Sequence, residues 1–178
     1  MAADNRIIDE VPGLFQVLSL TLLRETQGVV FDTLPMSAFG DLASFDRVIH
    51  APGAFSPGSV GEVERPWYYH PHQADNLIVL HGVRYVELYT PEHGQVEQFV
   101  VAPGGVERNG QLVATAAMLI WPCNVFHRVR SCEINGSASL NLAAHFPGFD
   151  VRTNFSIYDL DTETGDSRVI REGHLDQF

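Results

Sequence analysis

Lysine is missing altogether: the chain's eleven basic side chains are all arginine, against twenty-two Asp and Glu, for a net charge of −11. Without lysine there is no Schiff-base catalysis, no anchor for pyridoxal phosphate and no P-loop. The acidic balance repels phosphate backbones and anionic lipids, which speaks against nucleic acid and membrane partners. Cysteine is nearly as scarce. Cys123 and Cys132 form no CxxC pair, which excludes a zinc knuckle and leaves free thiols in a reducing compartment as the expectation. Long hydrophobic runs are lacking too: residues 114–125 are broken by Thr115, Pro122 and Asn124, well short of a membrane helix. The N-terminal stretch reaches an acid at Asp4 before any apolar run, so no signal peptide is expected and the location read is cytoplasmic.

What is present points to β-structure. With 178 residues, 45% hydrophobic and 19% charged, the chain suits one globular domain whose core needs no disulfides. Residues 14–25 and 29–34 are rich in strand formers around a Gln27-Gly28 turn, and 36–45 reads as a short helix. The Pro- and Gly-rich stretch 51–61 is a loop that separates an N-terminal arm, 1–60, from a central unit, 61–149. Strand signals then recur at 77–80, 83–90, 95–102, 112–121, 125–131 and 139–146, punctuated by His81-Gly82, Asn109-Gly110 and Asn135-Gly136. Repeated short strands of this kind indicate an antiparallel sandwich or barrel. A last hairpin, 154–160 and 167–171, falls in the segment 150–178. Its Asp159, Asp161 and Glu163 alternate as in a calcium loop, yet Gly165 stands one place late and the closing Glu is missing, so a β-turn is expected there.

Histidine carries the chemistry. His70 and His72 are two apart, so on a strand both rings leave one face and can chelate one ion. His127 follows the turn Pro122-Cys123-Asn124, where Asn124 occupies a left-handed position, and it shares a strand face with Val125, Val129 and Ser131. That apolar setting favours a neutral imidazole. The alternation Ser139, Asn141, Ala143, His145 brings His145 toward the same cavity, whereas His81 and His93 read as solvated, and His50 and His174 have no evident partner.

Two segments resemble the paired motifs of the cupin superfamily: 61–82, with His70-x-His72, Asp75 and Gly82, and 116–131, with Pro122, Asn124 and His127. The stretch Trp67-Tyr-Tyr-His-Pro-His-Gln-Ala-Asp-Asn-Leu77 is similar to the RmlC-like, sugar-epimerase-related subgroup. Two registers are open. Asp75 lies at the acidic position six residues before Gly82, which leaves one residue too few after His72; alternatively His70 is the second motif histidine and Tyr68 stands in place of the first.

The resemblance implies an all-β double-stranded β-helix, a cupin jelly-roll barrel with an N-terminal strand arm and a C-terminal hairpin, and a homodimer. It implies one divalent transition metal (Fe, Mn, Ni or Zn) on His70, His72, His127 and Asp75, with Asp75 favoured as the outer partner of a ligand imidazole. Such a protein is a metal-dependent enzyme acting on a small organic or sugar-like molecule in the barrel. The alternative is a metal-free binder or RmlC-like epimerase or isomerase, with His70 or His72 as base and a tyrosine, Tyr68 at the motif position, as acid.

Overall fold

The computed structural model describes residues 6–177. Residues 1–5, on which the expectation about a signal peptide rests, lie outside the described residues.

Seventeen strands run along the described chain: β1 (Ile7–Val11), β2 (Phe15–Ser19), β3 (Thr21–Thr26), β4 (Val29–Thr33), β5 (Ser44–His50), β6 (Phe55–Ser56), β7 (Trp67–Tyr69), β8 (Gln73–Gly82), β9 (Arg84–Tyr89), β10 (Glu97–Ala102), β11 (Gly105–Arg108), β12 (Gln111–Ala114), β13 (Ala117–Trp121), β14 (Phe126–Ser131), β15 (Ser137–His145), β16 (Ile157–Leu160) and β17 (Ser167–Arg171). They form two antiparallel sheets. One has six strands in the order β1-β2-β13-β8-β15-β5; the other has nine, β12-β11-β10-β9-β14-β7-β16-β17 with β6 also paired to β14. β3 and β4 make a separate hairpin.

Alternation along the strands sets what faces inward. On β9, Arg84, Val86 and Leu88 point into the space between the sheets, which settles the face that the sequence pattern leaves open. One half of that space is apolar: Phe15 and Val17 of β2, Val86 and Leu88 of β9, Phe99 of β10 and Leu119 of β13 are almost fully buried in one cluster. Phe15 meets Phe99 edge to face with ring centroids 4.9 Å apart. The other half is polar.

Several elements differ from the sequence expectation. Residues 36–45 form no full helix: Met36–Ala38 is one 3₁₀ turn, and Ser44 already begins β5. Phe45, Arg47 and Ile49 take the exposed face and Asp46, Val48 and His50 the inner one, a period of two, and pairing with β15 along seven positions overrides the local helical preference. The run 112–121 is two strands, β12 and β13, in different sheets, because the chain turns at Thr115-Ala116. His81-Gly82 is not a connection between strands but the end of β8, and β8 and β9, with only Val83 between them, are not a hairpin; they too lie in different sheets. Within the segment 1–60, β2 and β5 sit inside the six-stranded sheet, paired to β13 and β15.

Two turn residues follow their conformational preferences. Asn124 has φ +67, the left-handed geometry expected before His127. Gly82, φ +69, is required by contact: a Cβ there would stand 2.0 Å from the carbonyl oxygen of Gly136.

Candidate active site

The polar half of the interior is a cavity of about 240 Å³. Its floor comes from the inward face of β8, where Gln73, Asp75 and Leu77 alternate. β14 adds His127 and Val129, β7 adds Tyr68, and Trp121 and Phe155 close the apolar side. His70 sits just after β7, at the bend where the chain turns into β8.

Both imidazoles have one nitrogen committed. His70 Nδ1 lies 2.7 Å from the carbonyl oxygen of Asn154, and His127 Nδ1 lies 3.1 Å from that of Val125. A carbonyl only accepts, so each Nδ1 carries the proton and, in the neutral ring, each Nε2 presents a lone pair. The two rings stand 4.5 Å apart between centroids. His70 Nε2 is 3.9 Å from Asp75 Oδ2, a buried oxygen with no hydrogen-bond partner among the described residues. The other carboxylate oxygen is fully occupied: Asp75 Oδ1 accepts from Gln73 Nε2 at 2.8 Å and from Asn141 Nδ2 at 2.6 Å. Ligand atoms of His70, Asp75 and His127 therefore lie within 4.8 Å of one another.

Burial sets the electrostatics. Desolvation, helped by the neighbouring His70, holds His127 well below the ordinary histidine range, so its ring is neutral. Burial also raises the Tyr68 phenol, with Asp176 adding to the effect and a hydrogen bond with Ser56 opposing it, so the hydroxyl keeps its proton at neutral pH. The Tyr68 ring lies 5.8 Å from that of His70 and 5.9 Å from that of His127.

The expected residues are thus not all together. Tyr68, His70, Asp75 and His127 line one cavity. His72 does not join the group: its ring lies against Gly148, where an added Cβ would meet Cε1 at 3.0 Å, and its backbone N–H donates to Asn154 Oδ1. His70 to His72 is a turn rather than a strand, so the two rings do not share a face. His145 stacks on Phe149, centroids 3.5 Å apart, rather than entering the cavity. His93, read as solvated, pairs with Glu97 at 2.9 Å; Glu97 in turn binds Arg108 and Asn109.

Two participants, Asn154 and His50, escape the sequence reading; a third, Arg84, stands on a β9 face whose direction the alternation alone leaves open. Asn154 is completely buried and clamps the site, its carbonyl on His70, its side-chain oxygen on the His72 N–H and its amide nitrogen 3.4 Å from Gln73. His50 Nδ1 meets Ser131 Oγ at 3.0 Å, and Arg84 crosses the interior from β9. Residues so distant in sequence meet only through sheet pairing; the one usable signal was that Asp46, Val48 and His50 alternate on β5.

The architecture is that of the RmlC-like cupins. No family model matches the chain, and no curated protein does. Among solved structures it is similar to QdtA, a sugar 3,4-ketoisomerase from Thermoanaerobacterium thermosaccharolyticum in complex with TDP, at 11% identity and TM-score 0.53, covering 76% of this chain and 82% of that one. A variant of the same enzyme in complex with TDP-4-keto-6-deoxyglucose matches at 11% identity and TM-score 0.54, covering 79% and 85%. The dTDP-4-dehydrorhamnose 3,5-epimerase from Sulfolobus tokodaii matches at 11% identity and TM-score 0.56, covering 80% and 76%.

Proposed function

We propose that the protein is an acid–base isomerase or epimerase acting on a carbonyl-bearing, sugar-like molecule in the cavity, with His70 as base and Tyr68 as acid. The observation that carries this is the fixed tautomer of His70, whose bare Nε2 faces the cavity beside a tyrosine held in its protonated form. In the first step Nε2 takes the proton from the carbon next to a carbonyl, and the electron pair moves onto the carbonyl oxygen as an enolate. Return of a proton to the same carbon, from Tyr68, gives the epimer; for the isomer the hydroxyl on the deprotonated carbon gives its proton to the enolate oxygen, the former carbonyl carbon is protonated, and carbonyl and hydroxyl exchange places. His127, neutral and 4.5 Å away, keeps the site from accumulating positive charge. The similar structures named as ketoisomerases and an epimerase support this choice over the metal-dependent reading. A cavity of about 240 Å³ suits a sugar ring, below the ~300–1,000 Å³ of drug-sized sites, so a nucleotide on such a sugar lies outside it.

The test is solvent exchange. A panel of keto-sugars with and without a carboxylate, TDP-4-keto-6-deoxyglucose among them, is incubated with the protein in D₂O and is expected to include a compound that gains deuterium next to the carbonyl. Absence of exchange across the panel overturns the assignment.

A second reading rests on the convergence of three donor atoms within 4.8 Å, one of them an unpartnered buried oxygen. His70, His127 and Asp75 fit a divalent cation, which would supply Lewis-acid polarisation of the carbonyl; His72 is outside reach. Stoichiometric metal in untagged protein favours this reading.

We also infer a homodimer. The outer face of the six-stranded sheet is apolar as well: Phe45 and Ile49 of β5 and Leu80 of β8 are each more than half exposed, and Phe45 lies opposite Leu142. Six strands of about six residues cover about 600 Å², on the scale of the ~800 Å² each partner of a standard interface supplies. A second copy covers this face by two-fold symmetry. Light scattering should give twice 19.7 kDa, and Phe45→Glu the monomer; a monomeric wild type overturns the dimer.

A further inference from the structure

The cavity has a second pole that proton transfer at His70 does not use. Arg84 is 4% exposed, a buried guanidinium in a chain otherwise dominated by acids. Its Nε donates to Ser137 Oγ at 3.0 Å and its NH2 to the Val48 carbonyl at 3.2 Å. Neither acceptor is charged. Desolvation lowers its pKa to about 10 with no carboxylate opposing, so it remains a cation. Two carboxylates line the same cavity, and both are otherwise engaged: Asp75 with Gln73 and Asn141, Asp46 with Asn141 at 3.4 Å.

The groups that Arg84 touches are a hydroxyl and a carbonyl. Ser137 Oγ continues to Ser131 Oγ at 2.7 Å, which meets His50 Nδ1. Burial and the Arg84 charge lower His50 to about 4, so it does not compete as a second cation at neutral pH. A guanidinium has five N–H groups in a planar fork, and protein atoms here take two of them. Burying such a charge without a counterion is unfavourable unless something in the function supplies one.

The position fixes what the counterion belongs to. Arg84 pairs with Ser131 on β14, four positions from His127, or about 13 Å along the strand. Arg84 and the two imidazoles thus stand at opposite ends of one cavity.

We propose that the ligand of this cavity carries a carboxylate, bound by the Arg84 fork, while its reacting carbon faces His70: a sugar acid rather than a neutral sugar. The inference deepens the acid–base reading in naming the substrate class, but binding tests it independently of turnover. Calorimetry would compare D-glucuronate and D-galacturonate with glucose and galactose, and with the corresponding 6-phosphates. The expected result is that an acid binds at least tenfold tighter than its neutral parent, that Arg84→Met removes the advantage and that Arg84→Lys keeps part of it. Equal or undetectable binding of acid and parent overturns the proposal, as does an advantage that survives Arg84→Met; the wild-type comparison stands whether or not the variants fold. Tighter binding of a 6-phosphate overturns the carboxylate in favour of phosphate. Charge preference without deuterium exchange sinks the isomerase reading and leaves this one standing.

Discussion

His70 Nδ1 and the carbonyl oxygen of Asn154 lie 2.7 Å apart although 84 residues separate them. That single contact ties the His70 ring to the segment leading into β16 and decides which of its nitrogens faces the cavity. Asn154 also holds the His72 N–H and Gln73, so one buried residue braces the whole turn from β7 into β8.

Replacing His70 by Asn should remove deuterium exchange by at least about a thousandfold while thermal unfolding stays near wild type. General-base contributions of about 10²–10⁴ set that scale. Exchange within tenfold of wild type would reassign the base.

Tyr68→Phe separates the two half-reactions. Proton removal by His70 survives, so deuterium washes into the substrate, while formation of the rearranged product drops by about 10²-fold or more. Parallel loss of both would show that Tyr68 acts on binding.

Metal removal discriminates the two site chemistries. Untagged protein should carry well under one transition-metal ion per chain, and chelation should leave exchange unchanged. Asp75→Asn then slows exchange through the lost negative charge beside His70 Nε2, with metal content unmoved.

Stability should fall in acid in two windows. His50 has its pKa lowered to about 4 by burial, then by Arg84, so the unfolded chain takes up the proton first. Its contribution is complete above about 6.5 and declines as pH falls toward about 4. Glu97, lowered to about 2 chiefly by its hydrogen bond from Arg108, contributes fully above its ordinary 4.5 and loses that as pH falls through about 2. Chemical denaturation across pH 7 to 2 should show His50→Gln flattening the first decline and Glu97→Gln the second.

Gly82→Ala tests the corner between the sheets. The new Cβ would collide with the Gly136 carbonyl at 2.0 Å in a left-handed backbone, and a loss of about 2–4 kcal/mol is expected in urea. Ala at Gly28, with φ +75 but open space around it, should cost less.

The sequence carried the barrel because alternation and turn residues are local signals: Asn109-Gly110, both at positive φ, join β11 to β12 as their types require. Of the residues it singled out, Tyr68, His70, Asp75 and His127 line one cavity. What misled was geometry that spacing does not encode. Pro71 follows His70 at a bend, so His-x-His is no strand pair and His72 turns to Gly148. His50 and Asn154 were illegible, since each reaches the cavity through a partner dozens of residues away, and for Arg84 the alternation on β9 showed the face it shares with Val86 and Leu88 but not which way that face turns.

Both imidazoles are oriented by main-chain oxygens, not by side chains. A point substitution cannot delete a carbonyl, so the orientation of the two rings is insulated from sequence drift so long as the strands hold. The lining around them, Gln73, Asn141, Arg84 and Phe155, enjoys no such protection. Over evolutionary time such a scaffold can exchange its lining while the two imidazoles stay in register.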